Sequence, residues 1–217
     1  SGLSPAQLAV LLVAGVVLDL LLGGPRRWHP LVGFGRLAKA IERRLNGGKL
    51  RFPRGLLAWL LAVLPLGTLA WLATEYIGLW LHALLLYACI GLRSLREHTM
   101  PIVDALRTGD LATARERTSW IVSRDTQNAQ EADLAKAGAE SLLENGNDAV
   151  FGTLFWFLVA GGAGAVLFRL ANTLDAMWGY RNERFNLFGR TAARIDDAVN
   201  YVPARLTALS YVLLAGA

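Results

Sequence analysis

Residues 55–92 carry one formal charge, Glu75, and one histidine, His82. No other feature of the chain restricts its fold as much. A run this long exceeds the ~20 residues of one bilayer crossing, and in lipid its backbone must be satisfied internally. Two helices joined tightly near Thr74-Glu75-Tyr76 are the expected solution. Residues 5–24 form a second apolar stretch of about one crossing, with Asp19 as its only charge. Gly24-Pro25 should stop that helix. It does not read as a cleaved leader, because no basic segment precedes it and Gly23-Gly24-Pro25 is a poor cleavage site. Of the 217 residues, 54% are hydrophobic and 18% charged, against about 25% charged in ordinary soluble domains. The expectation is a few membrane helices with a polar insert. The single Cys89 lies in an apolar run, is expected to be a small core residue, and gives no disulfide framework.

The net charge of +5 and pI of 9.8 do not make this a nucleic-acid binder, because the charge is local. Residues 26–54 hold nine basic residues and one acid, Glu42, which leaves the remainder net acidic. A basic block beside an apolar helix is first a topology signal that places it in the cytoplasm. Within it Phe34, Leu37, Ile41 and Leu45 share a helical face, while Arg36, Lys39, Arg43 and Arg44 fall elsewhere. That pattern suits an amphipathic helix on a membrane surface; an ordinary surface helix is the plain alternative.

Residues 93–148 contain seven basic and ten acidic residues and no run able to span. Three helices are expected: from Arg93 to Arg107, from Asp110 to near Val122, and from Asn128, with Glu131 in a capping box, to Glu144 or Asn145 with Gly146 as the stop. No strand pattern is present. Residues 150–171 are apolar again but broken by Gly161-Gly162-Ala163-Gly164. A plain crossing would put the Arg-rich stretch after it outside the cell. The glycines permit two half-length helices that enter the membrane and return. The expected fold is therefore all-α and polytopic: membrane helices in 1–92, a cytoplasmic helical insert at 93–149, and a re-entrant helical hairpin leading into a polar segment at 172–205. Residues 206–217 read as the start of a further membrane helix, so the chain is expected to be part of a longer protein.

The chemistry is concentrated in residues 172–205, where Asn, Asp, Glu, Arg and Tyr interleave beside membrane-like sequence. Such density is costly to keep dry. It offers acceptors for a metal or amine and donors for phosphate or carboxylate. Asn172 and Asp175 share a helical face; Tyr180, Arg181, Asn182, Glu183 and Arg184 follow, then Arg194, Asp196, Asp197, Asn200 and Arg205. An Asp–Arg network that only stitches loops together is the bland alternative. Glu140, Glu144 and Asp148 recur every four residues as an acidic stripe, which a bound cation would stabilise and which could otherwise be a solvated face. Ser123-Arg124-Asp125-Thr126 lies between two expected helices, where Arg124 could reach a phosphate or the segment could simply cap a helix. His29, in Trp28-His29-Pro30, is a further candidate, although a lone histidine is more often a loop hydrogen-bonder. No phosphate-binding P-loop, zinc-ligand spacing or Ser-His-Asp signature occurs.

These segments together resemble the membrane-bound adenosylcobinamide-phosphate synthases of cobalamin biosynthesis, the CobD/CbiB type. The resemblance rests on Asp19-Leu-Leu-Leu-Gly-Gly-Pro with Trp28-His-Pro, Val122-Ser-Arg-Asp-Thr, Glu140-Ser-Leu-Leu-Glu-Asn with Asp148, and Asn172-Thr-Leu-Asp-Ala-Met with Gly179-Tyr-Arg-Asn-Glu-Arg. It continues in Ala193-Arg-Ile-Asp-Asp and Asn200-Tyr-Val-Pro-Ala-Arg-Leu-Thr. Departures are mild: Arg181 stands where the family usually has Lys, Ala149 where Gly is common, and Phe185 where Tyr is common. The resemblance implies an enzyme of the inner membrane, with its site facing the cytoplasm. The implied reaction joins (R)-1-amino-2-propanol phosphate to a corrinoid propionate as an amide, driven by ATP with Mg²⁺. It also implies a homo-oligomer or an association with other late cobalamin-pathway membrane enzymes. Residue chemistry then suggests roles. Glu140, Glu144, Asn145 and Asp148 are the expected Mg²⁺ and nucleotide ligands. Arg124, Asp125, Asn172, Arg181, Arg194, Asp196, Asp197, Asn200, Arg205 and His29 would bind substrate and phosphate. Asp175 or Glu183 would be the general base, with Tyr180, Asn182 and Arg184 beside it. A sensor of the AmpE type or a small transporter are the competing classes.

Overall fold

A computed structural model describes residues 2–24, 29–122 and 124–215. All regular structure among them is helical: α1 (Pro5–Leu22), α2 (Pro30–Leu45), α3 (Arg51–Tyr76), α4 (Trp80–Cys89), α5 (Leu92–Arg107), α6 (Leu111–Ser119), α7 (Glu131–Gly146), α8 (Gly152–Trp178) and α9 (Arg190–Ala215). A π-helical turn, Asn147–Phe151, joins α7 to α8. Among the described residues three stretches are long and apolar enough to cross a bilayer: α1, α3 and a window within Glu131–Trp178. Their outward faces are apolar and uncovered, with Val13 and Leu21 on α1 and Leu61, Leu69 and Trp71 on α3 all more than 36% exposed. In water such surface would be a liability; in lipid it needs no partner.

The long apolar run does not make two full spans. It is one long helix, α3, and one of ten residues, α4. At 1.5 Å per residue α4 is about 15 Å long, half the hydrocarbon thickness. Small residues on α3 explain its packing. Gly55, Ala58, Ala62, Gly67 and Ala70 are all buried, and a Cβ at Gly55 would land on the Phe188 carbonyl oxygen. The backbone of the 179–189 segment can therefore lie directly against α3.

α8 is the centre of the fold, packing against α3, α4 and α9. It is not straight. Ala160 (φ −136°, ψ 18°) and Gly161 (φ 66°, ψ −154°) leave helical geometry, and only glycine takes the second conformation cheaply. The chain reverses there. Asp148 meets Asn172, the Phe168 ring lies where a Cβ on Gly152 would stand, and a Cβ on Gly164 would strike the Trp156 carbonyl. These pairs are all centred on residue 160, so the two arms run antiparallel. The break leaves the Gly162 N–H without a helical acceptor, and it donates to Nδ1 of buried His82 on α4 at 2.9 Å.

The polar insert is a small helical layer, α5 to α7, around Ala105, Ala114 and Leu134. α5 and the start of α6 fall where the sequence put them. Asp110 caps α6, accepting from the Thr113 N–H at 3.0 Å, but α6 ends at Ser119 rather than near Val122. α7 begins at Glu131, not Asn128, because the capping box is formed by Gln130 and Asp133. Gly146 does not stop it; its backbone is right-handed helical (φ −62°, ψ −43°) and the helix passes on into the π turn.

Candidate functional site

The fold-back delivers polar groups from three elements to one place. From the π turn, Asp148 accepts from Asn172 Nδ2 at 2.8 Å and from Asn147 Nδ2 at 3.0 Å. From α8, Arg169 donates through one Nη to the Asp148 carbonyl at 3.1 Å and to Asn172 Oδ1 at 2.9 Å. From α9, Asp196 accepts from Asn200 Nδ2 at 3.1 Å and, more weakly, from Asn172 Nδ2 at 3.4 Å. Asn147 donates to Asn200 Oδ1 at 2.9 Å and accepts from Thr207 at 3.0 Å. The charges of Asp197, Asp148 and Glu144 act on Asp175, one helical turn beyond Asn172.

Carboxylates are in excess here. Among the described residues none of Glu144, Asp148, Asp175, Asp196 and Asp197 is in an ion pair. Burial pushes the Asp196 carboxyl up to about 6, with the charges of Asp175 and Asp148 adding to the rise and the bonds from Asn200 and Asn172 opposing it. A buried acid crowded by like charges binds a proton or a cation more readily than a surface one.

Arg169 also lines a cleft of about 570 Å³. Its walls include Asp19, His29, Arg93, His98, Ser141 and Asn145. His29 caps α2 with its ring, Nδ1 accepting the Leu31 N–H at 3.2 Å. Burial and then the charge of Arg169 hold its pKa below the usual histidine value.

The structure thus gathers Asp148, Asn172, Asp196 and Asn200 into one bonded network with Asp175, Asp197 and Glu144 beside it, and sets Asn145 and His29 on the adjoining cleft. Other expected site residues lie apart from this network. Arg184 grips Glu42 with two bonds, 3.0 and 2.8 Å, and stacks over the Phe185 ring. The arginine expected beside the general base is thus bonded to a carboxylate that is itself 4% exposed. Burial works to raise Glu42, but the hydrogen bonds from Arg184 and Asn46 outweigh it and hold the acid below its ordinary pKa. The Glu183 carbonyl accepts from Arg51 at 2.7 Å. Asn182 makes a local turn with the Phe185 N–H at 3.0 Å. Tyr180 and Arg181 are exposed. Arg205 lies over the Tyr201 ring at 3.4 Å, and Arg194 is exposed on α9.

The acidic stripe is divided. Glu140 pairs with Arg124, and more loosely with Lys136 at 3.9 Å. Asn145 turns its amide back to Ser141 at 2.9 and 3.0 Å. Asp125 bonds the Gln127 N–H at 2.9 Å. Among the described residues no three His, Cys, Asp or Glu groups converge to hold a metal ion unaided. Sequence reasoning missed Asn147, Arg169 and Thr207. Only Arg169 carried a legible signal, a charge inside an apolar run.

Fold and site together define a helical membrane protein with a polar network at the open end of a broken helix. The CobD/Cbib protein family matches residues 12–217, and the chain belongs to that family. The cobalamin biosynthesis protein CobD of Stutzerimonas stutzeri is 57% identical over 206 residues, 93% of this chain and 68% of that protein. The Chromobacterium violaceum protein of the same name is 53% identical over 225 residues, covering 95% and 69%. A probable cobalamin biosynthesis protein CobD of Thermococcus kodakarensis is 44% identical over 209 residues, covering 91% and 68%. No solved structure matches the chain.

Proposed function

We propose that this chain catalyses ATP-dependent amide formation between (R)-1-amino-2-propanol phosphate and the free propionate of adenosylcobyric acid, giving adenosylcobinamide phosphate. The observation that carries the reading is the reversal at Ala160–Gly161, which sets Asp148 on Asn172 and both beside Arg169 and Asp196. ATP with Mg²⁺ supplies the activation that a carboxylate needs before it accepts an amine. The donor set suits Mg²⁺, which takes one or two carboxylates and completes its shell with phosphate oxygens and water. Asp148 and Asp175 are the carboxylates that would hold it. Asp196, with a pKa near 6, is poised to take the proton that the amine loses near neutral pH. Arg169 would orient the reacting carboxyl by its planar fork of donors.

The two polar portions would lie on the cytoplasmic side of the inner membrane, with the α8 hairpin entering and leaving from that side. The basic block at α2 and the arginines of residues 181–205 support this orientation. Cysteines introduced in place of Arg107 and Asn186 should then be labelled from the same side; labelling of the two from opposite sides would reject it. The function is tested by incubating the membrane-reconstituted chain with ATP, aminopropanol phosphate and a corrinoid. Wild type should form the amide and consume ATP. Asp148→Asn and Asp175→Asn should lose at least about 100-fold in turnover, roughly 3 kcal/mol of barrier, at normal expression. Near-normal turnover in both variants would reject the scheme.

A further inference from the structure

The cleft lined by Arg169 and His29 is not occupied by the carboxylate network, and its chemistry is specific. Arg169 uses one Nη toward Asp148 and Asn172, while its buried Nε has no hydrogen-bond partner. No carboxylate contacts its guanidinium among the described residues. Its second Nη makes no hydrogen bond among the described residues and is the donor a ligand oxygen could reach, whereas the Nε is sealed from solvent. His29 has its acceptor nitrogen committed to the Leu31 N–H. That bond fixes the neutral tautomer, so the proton sits on Nε2, which has no acceptor among the described residues. Both side chains line the same cleft. Arg93, which also lines the cleft, meets two acids there: its backbone N–H donates to Asp19 Oδ2 at 2.8 Å and its Nε to Glu97 Oε1 at 2.7 Å. The cleft therefore carries two arginines and two carboxylates, a balanced lining in which Arg169 and His29 keep donors that no bond among the described residues uses.

We infer that this cleft binds a small zwitterion, an amine bearing a phosphate monoester, with the phosphate on Arg169 and His29. A balanced lining suits a zwitterion better than a polyanion such as a nucleotide. A cleft of about 570 Å³ falls within the range of small-molecule sites and leaves a corrinoid outside, free to approach Asp148 from the network side. The inference rests on the ligation reading for the identity of the amine; it goes beyond it in giving that substrate a place. Arg169 is then the wall shared by the two sites.

The test uses the full chain in lipid nanodiscs and calorimetric titration with aminopropanol phosphate, inorganic phosphate and ATP. His29→Asn keeps a side-chain cap for α2 but removes the Nε2 donor. Aminopropanol phosphate should bind wild type and should bind His29→Asn about tenfold more weakly, with ATP affinity unchanged. In wild type it should protect His29 from diethyl pyrocarbonate, read residue by residue by mass spectrometry, and ATP should not. Equal affinity of the variant, or protection by ATP alone, would overturn the assignment, the latter by showing that nucleotide phosphate fills the cleft. The two readings fail separately. Binding and protection without amide formation would end the ligation reading and leave the cleft; amide formation by His29→Asn at unchanged KM for the amine would end the cleft and leave the ligation.

Discussion

Asp196→Asn isolates the electrostatics on which the site depends. In the folded chain the Asp196 carboxyl is raised from 3.8 to about 6, so the fold binds its proton more tightly than the unfolded chain does. Stability contributed by this group is therefore greatest below pH ~4, falls as pH rises toward 6, and is flat above that. At 1.36 kcal/mol per unit the full rise amounts to roughly 3 kcal/mol of penalty at neutral pH. Two effects reduce what a substitution recovers. Asp196 keeps 9% of its surface exposed, so solvent screens part of its charge, and Asn offers Asn172 and Asn200 a weaker acceptor than a carboxylate. About 1–2 kcal/mol should remain, which for a chain of this size raises the melting temperature by roughly 2–8 °C. The assay is thermal unfolding in one detergent from about pH 4 to 8 for both proteins, read as the difference between them. Wild type should lose ground to the variant between about pH 4 and 6 and then run parallel to it, while amide formation by the variant falls at every pH. A variant less stable at neutral pH, or a difference that does not change with pH, would refute the reasoning.

Two further substitutions test the frame around the site. Gly164→Ala should separate the hairpin arms, because the new methyl would meet the Trp156 carbonyl; a loss of about 2 kcal/mol or more is expected, whereas Gly33→Ala, with nothing within 4 Å, should gain roughly 0.5–1 kcal/mol. Comparable melting temperatures for the two would show that the arms are not in close contact. Arg184→Ala should lower stability above the acid range, where Glu42 is ionised and loses its partner, and that deficit should vanish as pH falls through the depressed Glu42 pKa. Lost turnover with wild-type stability at all pH values would instead return Arg184 to the chemistry.

What the sequence made legible follows from the range over which each interaction acts. Helical character, the polar insert and the Asp110 start of α6 rest on neighbours within one or two turns, and periodicity reports them. The cap of α7 was misplaced because Asn128 and Gln130 are both plausible starts, and only the reciprocal bond between Gln130 and Asp133 separates them. The shortness of α4 was hidden because an apolar run marks burial in either lipid or protein. Asp148, Asn172, Asp196 and Asn200 were recognisable as residue types, but their union depends on two pairs, Asp148–Asn172 and Asn172–Asp196, each 24 positions apart. No local pattern encodes that. The pairing of Arg184 was illegible for the same reason: its partner, Glu42, lies 142 residues away.

The reversal at Gly161 and the site are one arrangement. As one uninterrupted helix, residues 148 to 172 would span about 36 Å, enough to set Asp148 and Asn172 on opposite faces of a bilayer; in the fold they are 2.8 Å apart. Two costs come with that approach. The backbone must take a left-handed conformation, which glycine supplies at position 161 (φ 66°). A backbone donor must also be released in apolar surroundings, where an unsatisfied N–H costs several kcal/mol. His82 meets the second cost by accepting from Gly162, and it can do so only if α4 packs beside the tip of the hairpin. The half-length helix that looked like a failed membrane span thus has a physical reason: it brings an acceptor to the one place where the central helix has given up its own.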